Sequence, residues 1–248
     1  MSLTDNLIEH WKLDAASGDE IGSHAGIVLT DGNSVGTAAG KINGARDFEN
    51  ASNHFMSAVD SVALSAGDID FTIAGWMKLE SVASSNAIGK WNATGNQREW
   101  FLRYSTTTAA FEFLASSDGI ASTTVTASNF GAATAGPWYY VIAWHDAAND
   151  LIGIQVNNTT PNTVSHAAGV FDSTSAFQLG RIGVVTTSDW DGLIDEVSFW
   201  KRLLTADEKT ALYNSGDGLA YPFALSGPTP IAVIGGGAGM SFSHGFGF

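Results

Sequence analysis

The sequence predicts an all-β protein, a two-sheet antiparallel sandwich carrying one short C-terminal helix. Apolar residues alternate with period two through several segments, and some of these segments are apolar on both faces, as strands inside a sandwich are. Glycine is abundant, 28 residues, and Ser, Thr, Ala and Asn fill the spaces between short apolar runs, a composition that favours many strands joined by turns. One segment alone carries a convincing helix start signal.

Four segments show the alternation best. Within 70–80, Phe71, Ile73, Met77 and Leu79 share one face, with Thr72, Trp76 and Lys78 opposite. Within 137–146, Trp138, Tyr140, Ile142 and Trp144 oppose Tyr139, Val141 and His145. Residues 151–157 carry Ile152, Ile154 and Val156 in register, and 192–200 sets Leu193, Asp195, Val197 and Phe199 against Ile194, Glu196, Ser198 and Trp200. Further strands are expected near 7–13, 45–49, 54–59, 87–91, 99–104, 110–115, 121–127 and 177–181. Asn157-Asn158 suits the positive φ of a tight hairpin turn. Thr205-Ala206-Asp207-Glu208 is a capping box, with Leu204 and Leu212 as apolar contacts and Gly216 available to end the helix.

Charge and composition narrow the classes. There are 25 Asp+Glu against 11 Lys+Arg, a formal charge of -14, which argues against a phosphate backbone or an anionic lipid as the main partner. The absence of cysteine excludes disulfide frameworks, thiolate metal sites and thiol nucleophiles. No apolar run is long enough to span a bilayer, and the opening residues lack the basic and apolar regions of a signal peptide. Residues 1–224 read as one domain and 225–248 as a Pro/Gly-rich apolar tail. Residues 226–230, Ser-Gly-Pro-Thr-Pro, read as a stiff linker, and 231–248 contain no Asp, Glu, Lys or Arg but do contain Phe242, Phe246 and Phe248. Either the tail is an unstructured end, or it docks on a neighbouring subunit or larger assembly.

Several motifs, in order, resemble the laminin-G-like (concanavalin A-like lectin/glucanase) jelly-roll family in its bacterial and phage form. They begin with Trp11-Lys12-Leu13-Asp14 and Asp19-Glu20-Ile21-Gly22. Residues 40–48, 71–78 and Pro137-Trp138-Tyr139-Tyr140-Val141 follow. Gly192-Leu193-Ile194-Asp195-Glu196-Val197 and 204–214 close the series. The resemblance covers roughly residues 5–223. It implies a jelly roll used mainly to bind glycans or proteins, often with a structural calcium ion. It departs from the family before the 157–158 turn, where Gln155-Val156-Asn157-Asn158 replaces the usual Tyr-x-Asp-Gly.

Catalytic patterns are weak. Glycoside hydrolases on this fold place carboxylates at i and i+2 of one strand, and no Glu-x-Asp-x-Glu occurs here. Asp195 and Glu196 are adjacent, so a regular strand would point them to opposite faces. No His-x-x-x-His pair is present. Glycan binding needs exposed aromatics for sugar C–H faces and polar groups for the hydroxyls. Trp91, Arg98 and Trp100, around the polar loop 92–99, and Trp190, between Asp189 and Asp191, are the expected ligand-binding residues. For calcium the expected set is Asp19 and Asp195 with the Gly22 carbonyl; the other reading of Asp195 is that it caps neighbouring backbone amides.

The expected function is a non-catalytic binding module of a phage virion, a head-fibre, decoration or tail-fibre component that presents its jelly roll to a glycan or host-surface receptor. The tail would join it to other virion proteins, as a homo-oligomer. Two other readings stand, a shell protein that binds no sugar and a glycan hydrolase or lyase. A secreted bacterial surface protein is the other expected location.

Overall fold

The computed structural model describes residues 1–83, 85–184 and 188–224; the tail expected at 225–248 lies outside the described residues. The strands run in chain order as β1 (Leu7–Trp11), β2 (Glu20–Ile21), β3 (Val28–Gly32), β4 (Gly36–Ala39), β5 (Gly44–Phe48), β6 (Phe55–Ala58), β7 (Phe71–Leu79) and β8 (Ser85–Asn92). They continue as β9 (Gln97–Ser105), β10 (Ala110–Ala115), β11 (Thr123–Thr126), β12 (Trp138–Asp146), β13 (Leu151–Val156), β14 (Asn162–Ser165), β15 (Phe177–Leu179) and β16 (Gly192–Trp200). One α-helix, α1 (Ala206–Tyr213), follows.

Two antiparallel sheets result. The first has the order β14-β13-β12-β7-β16-β5-β4, with β1 on the far half of β16; the second has the order β11-β10-β9-β8-β15-β6-β3-β2. The alternation in 71–79 and 138–146 holds. Phe71, Ile73, Met77, Leu79, Tyr139 and Val141 enter the core between the sheets, and Trp76, Tyr140, Ile142 and Trp144 lie on the outer side of the first sheet. Asn157 and Asn158 turn the chain just beyond β13, on the way to its antiparallel neighbour β14, with φ 48° and 57°.

The alternation in 192–200 changes phase midway. A bulge separates Asp195 from Ser198, and Glu196 adopts φ 51°, the local kink that a bulge imposes. Ile194 therefore joins Val197 and Phe199 in the core. Asp195 sits opposite Trp76 and Ser198 opposite Ala74, both outer-face residues, and Glu196 meets His10 on the same side. The two adjacent acids are not turned to opposite faces.

The outer side of the first sheet is covered by α1 and the segment after it. Leu212, Leu204, Phe223, Trp200 and Trp76 form a second cluster there. Both halves of the capping box form: Glu208 N donates to Thr205 Oγ1 and Thr205 N to Glu208 Oε2. Lys209 Nζ lies 3.4 Å over the Trp144 ring, and burial pulls its pKa down to about 8.

At the centre of the core Trp100 contacts Phe71 and Phe199 of the first sheet and Phe113 and Phe177 of the second, at ring separations of 5.7, 6.0, 6.3 and 5.9 Å. Removing it is expected to cost about 3–5 kcal/mol, the range for a large aromatic truncated in a close-packed core. Urea unfolding of Trp100→Ala should show this as a lowered midpoint, with Trp100→Phe losing less.

Candidate functional site

The outer face of the second sheet is shaped by the β8–β9 hairpin. Along β9 the core takes Trp100, Leu102 and Tyr104, so Phe101 and Arg103 face outward. Phe101 meets Trp91 of β8 edge to face at 4.7 Å, and both pack with Leu114 and Ile182 in a separate apolar cluster. Gly89 makes room for this: a Cβ there would overlap the side chain of Phe101.

Above that cluster lies a groove of about 250 Å³ lined by Asn86, Trp91, Asn92, Phe101, Arg103 and Ile182 among others. A smaller recess of about 130 Å³, with Gln178 and Ser175, shares Asn92, Gly183 and Val184 with it. At about 250 Å³ the groove lies just below the roughly 300–1,000 Å³ of small-molecule sites. Trp91 is only 8% exposed, so it offers an edge of its ring. Arg103 is fixed by Glu112, with Nε 2.8 Å and Nη2 2.7 Å from Oε2, a charge-assisted pair that holds the guanidinium in place. Glu112 is steadied in turn by the Thr108 hydroxyl at 2.9 Å. No Asp or Glu is among the described residues lining the groove.

Beside this region the sheet carries a buried cation. Lys90 Nζ donates to Asp60 at 2.6 Å and lies 3.1 Å from Glu99. Glu99 also accepts from the Ala66 amide and from Ser173. Burial raises the Glu99 pKa, and Lys90 opposes the rise. The pair ties the loops around residues 60–66 and 172–175 to the sheet.

Of the four expected ligand-binding residues, one reaches the groove. Trp91 lines it. Arg98 sits across from Trp91 in the β8–β9 ladder, but its guanidinium donates to Gly119 O at 3.1 Å and Asn96 Oδ1 at 3.4 Å. Trp100 and Trp190 are fully buried core residues and offer no face to a sugar. Phe101, Arg103, Asn86 and Ile182 complete the groove and were not singled out in sequence. The alternation through 99–104 contains the signal for the first two.

The expected metal set is dispersed among three segments. Asp19, exposed, accepts from Asp31 N at 2.8 Å. Gly22 abuts Glu9, and a Cβ would overlap the Glu9 carboxyl group. That buried carboxylate accepts from the amides of His10, His24, Ala25 and Ile27, which explains the glycine without a metal. Asp195 Oδ2 accepts from Lys41 N and Ile42 N at 2.8 and 2.9 Å, the amide-capping role. Asp14 grips the other end of that turn through Gly44 N at 2.8 Å. Asp195 Oδ1 is buried with no hydrogen-bond partner. Burial, with Glu196 and Asp14 adding repulsion, pushes the Asp195 carboxyl up to about 8. Asp195 therefore keeps one buried oxygen without a partner, and Asp19 lies apart from it at the surface. Elsewhere Asp47, Glu49 and Glu80 bring carboxylate oxygens within 4.8 Å of one another, and burial followed by the neighbouring acids raises Glu80.

One Ser–His–carboxylate string forms, with His10 Nδ1 2.7 Å from Ser198 Oγ and Nε2 2.9 Å from Glu196 Oε2. All three residues are buried, and Tyr221 stacks on the imidazole at 4.9 Å. Burial holds His10 down at about 3 and Glu196 up at about 8, so both are neutral at pH 7. The string is sealed from substrate and lacks an ionised carboxylate to orient a base.

Comparison with known proteins agrees with this architecture. No curated protein matches the chain by sequence. Among solved structures, the binding domain of Paraclostridial Mosquitocidal Protein 1 superposes with TM-score 0.70 at 12% identity, covering 86% of this chain and 52% of that one. Domain 4 of AbnA, an extracellular GH43 arabinanase from Geobacillus stearothermophilus in complex with arabinotriose, gives 0.63 at 17% identity, covering 83% and 97%. The binding domain of botulinum neurotoxin DC in complex with rat synaptotagmin II gives 0.59 at 11%, covering 86% and 52%. The chain thus spans about half the length of the toxin binding domains it matches. Residues 50–208 match the family model of the concanavalin A-like lectin/glucanases superfamily, and the chain belongs to that superfamily.

Proposed function

We propose that the chain is a non-catalytic recognition module that takes a glycan in the groove formed by Trp91, Phe101, Arg103, Asn86 and Asn92. The groove itself carries the reading. It joins an apolar floor to amides, hydroxyls and one anchored guanidinium, the pairing that sugar C–H faces and hydroxyls require. The missing carboxylate lining supports binding over hydrolysis, since glycoside cleavage needs two flanking acids. The arabinotriose complex of the AbnA domain supports the ligand class by analogy of fold.

A glycan array probed with the whole chain tests this. Trp91→Ala and Arg103→Ala are each expected to weaken the retained glycan at least tenfold, and Arg98→Ala to leave it unchanged. Retention of no glycan would favour the shell-protein reading, and unaltered binding in both groove variants would move the site elsewhere.

The virion setting is a separate part of the proposal, as are assembly with other virion proteins and homo-oligomerisation. It is supported by the cysteine-free, acidic composition and the charge-poor apolar stretch 231–248. The chain is expected to copurify with assembled particles; its recovery only in the particle-free fraction would remove this part.

A structural calcium is proposed at Asp195, whose buried Oδ1 is the atom that would take it. Without the ion, Asp195 and Glu196 both titrate near 8 in the fold, above their unfolded values. Their contribution to stability is therefore full in acid and lost as pH rises through about 8. In chelator, Tm is expected to fall between pH 5 and 9, and to fall less in Asp195→Asn. Calcium added at pH 8 should raise Tm of the parent chain only; no rise there removes the ion.

A further inference from the structure

The groove has a polar continuation across the strands of the second sheet. Phe177 and Leu179 of β15 enter the core, so Gln178 between them faces outward. In the ladder Gln178 stands opposite Gly89 of β8, and Gly89 stands opposite Phe101 of β9. Gly89 has no side chain to rise between Phe101 and Gln178. On its other side Gln178 stands opposite Ser57 of β6, which also faces outward because Met56 and Ala58 are core residues. One row over four strands therefore runs from an aromatic floor at Phe101 to an amide and a hydroxyl at Gln178 and Ser57. Adjacent strands lie about 4.8 Å apart, close to the repeat of one sugar unit in a chain.

The recess of about 130 Å³ holds Gln178, Ser175 and Ala176 and meets the groove at Asn92, Gly183 and Val184. The groove alone falls short of the range of small-molecule sites and enters it together with the recess. Unused hydrogen-bonding groups face both spaces. Gln178 is 8% exposed, and its side chain has no hydrogen bond to any described residue, so the recess meets a donor and an acceptor. Asn92 Oδ1 accepts from Thr94 N at 3.0 Å, which leaves its NH₂ group free. Arg103 pairs with Glu112 through Nε and Nη2, which leaves Nη1. Among the described residues lining the two spaces Arg103 is the only charged one, and Glu112 neutralises it. In a chain of formal charge -14, that paired guanidinium gives no net attraction for an anionic sugar. Resting on the glycan reading of the groove, we propose that the ligand is an uncharged oligosaccharide. One unit lies over Trp91 and Phe101 and the next enters the recess, where Gln178 selects it by hydrogen bonding to its hydroxyls.

A glycan array of uncharged and anionic chains of graded length tests the proposal, followed by calorimetric titration of each retained chain and of its single-unit sugar. Retained glycans are expected to be uncharged and to bind at least tenfold more tightly as two-unit chains than as the single sugar. Gln178→Ala should weaken the chains at least fivefold and leave the single sugar unchanged. Gln178→Trp, which fills the recess, should give the same pattern, whereas Trp91→Ala weakens both. Should Gln178→Trp not fold, Gln178→Ala decides the matter. Retention of anionic glycans alone, equal affinity for one unit and two, or unweakened chain binding in a folded Gln178 variant overturns this inference; weakening by Trp91→Ala would then still uphold the groove. Retention of no glycan, or binding indifferent to Trp91→Ala, overturns the groove reading and this inference with it.

Discussion

Trp100 couples the two sheets. Its ring touches Phe71 and Phe199 on one side and Phe113 and Phe177 on the other, so one side chain bridges β9 to the opposite layer. Its Nε1 has no hydrogen-bond partner, a polar cost accepted within a large apolar contact. Strand alternation carries the consequence to the surface. With Trp100, Leu102 and Tyr104 turned inward, Phe101 and Arg103 have no choice but to face out, where they build the groove with Trp91.

In a chain without cysteine, loops are tied down by carboxyl groups and one buried lysine. Glu9 collects the amides of the 24–27 loop, Asp195 and Asp14 hold the two ends of the 40–44 turn, and Lys90 links Asp60 and Glu99. Glu9, Lys90, Glu99 and Asp195 are buried, which is costly for such a group alone and becomes tolerable through directed partners. The many acids thus have a structural use that net charge does not reveal.

Strands whose inward faces are apolar were legible in the sequence, because burial imposes period two on residue choice. The strands β2, β3, β4 and β14 were not. They are short and largely exposed, so pairing, rather than composition, defines them. The bulge at Glu196 was equally hidden, since a positive φ at a glutamate leaves no mark on hydrophobic order. Trp190 and Trp100 were misread for a related reason. Polar neighbours in sequence suggest a solvent-facing loop, yet Trp190 follows Asp189, which is itself buried beside Arg181. Asp195 illustrates a different limit: two readings were open, and hydrogen bonding to the 41–42 amides accounts for one of its oxygens and leaves the other without a partner.

The covering of the first sheet gives the molecule a back and a front. Phe223 is seated among α1, Trp200 and Tyr221, so residue 224, the last one described, lies on the side remote from the groove. Anything tethered through that end would hold the module from behind and leave the opposite surface pointing outward. Neither attachment nor crowding of neighbouring copies at that end would then compete with an incoming ligand.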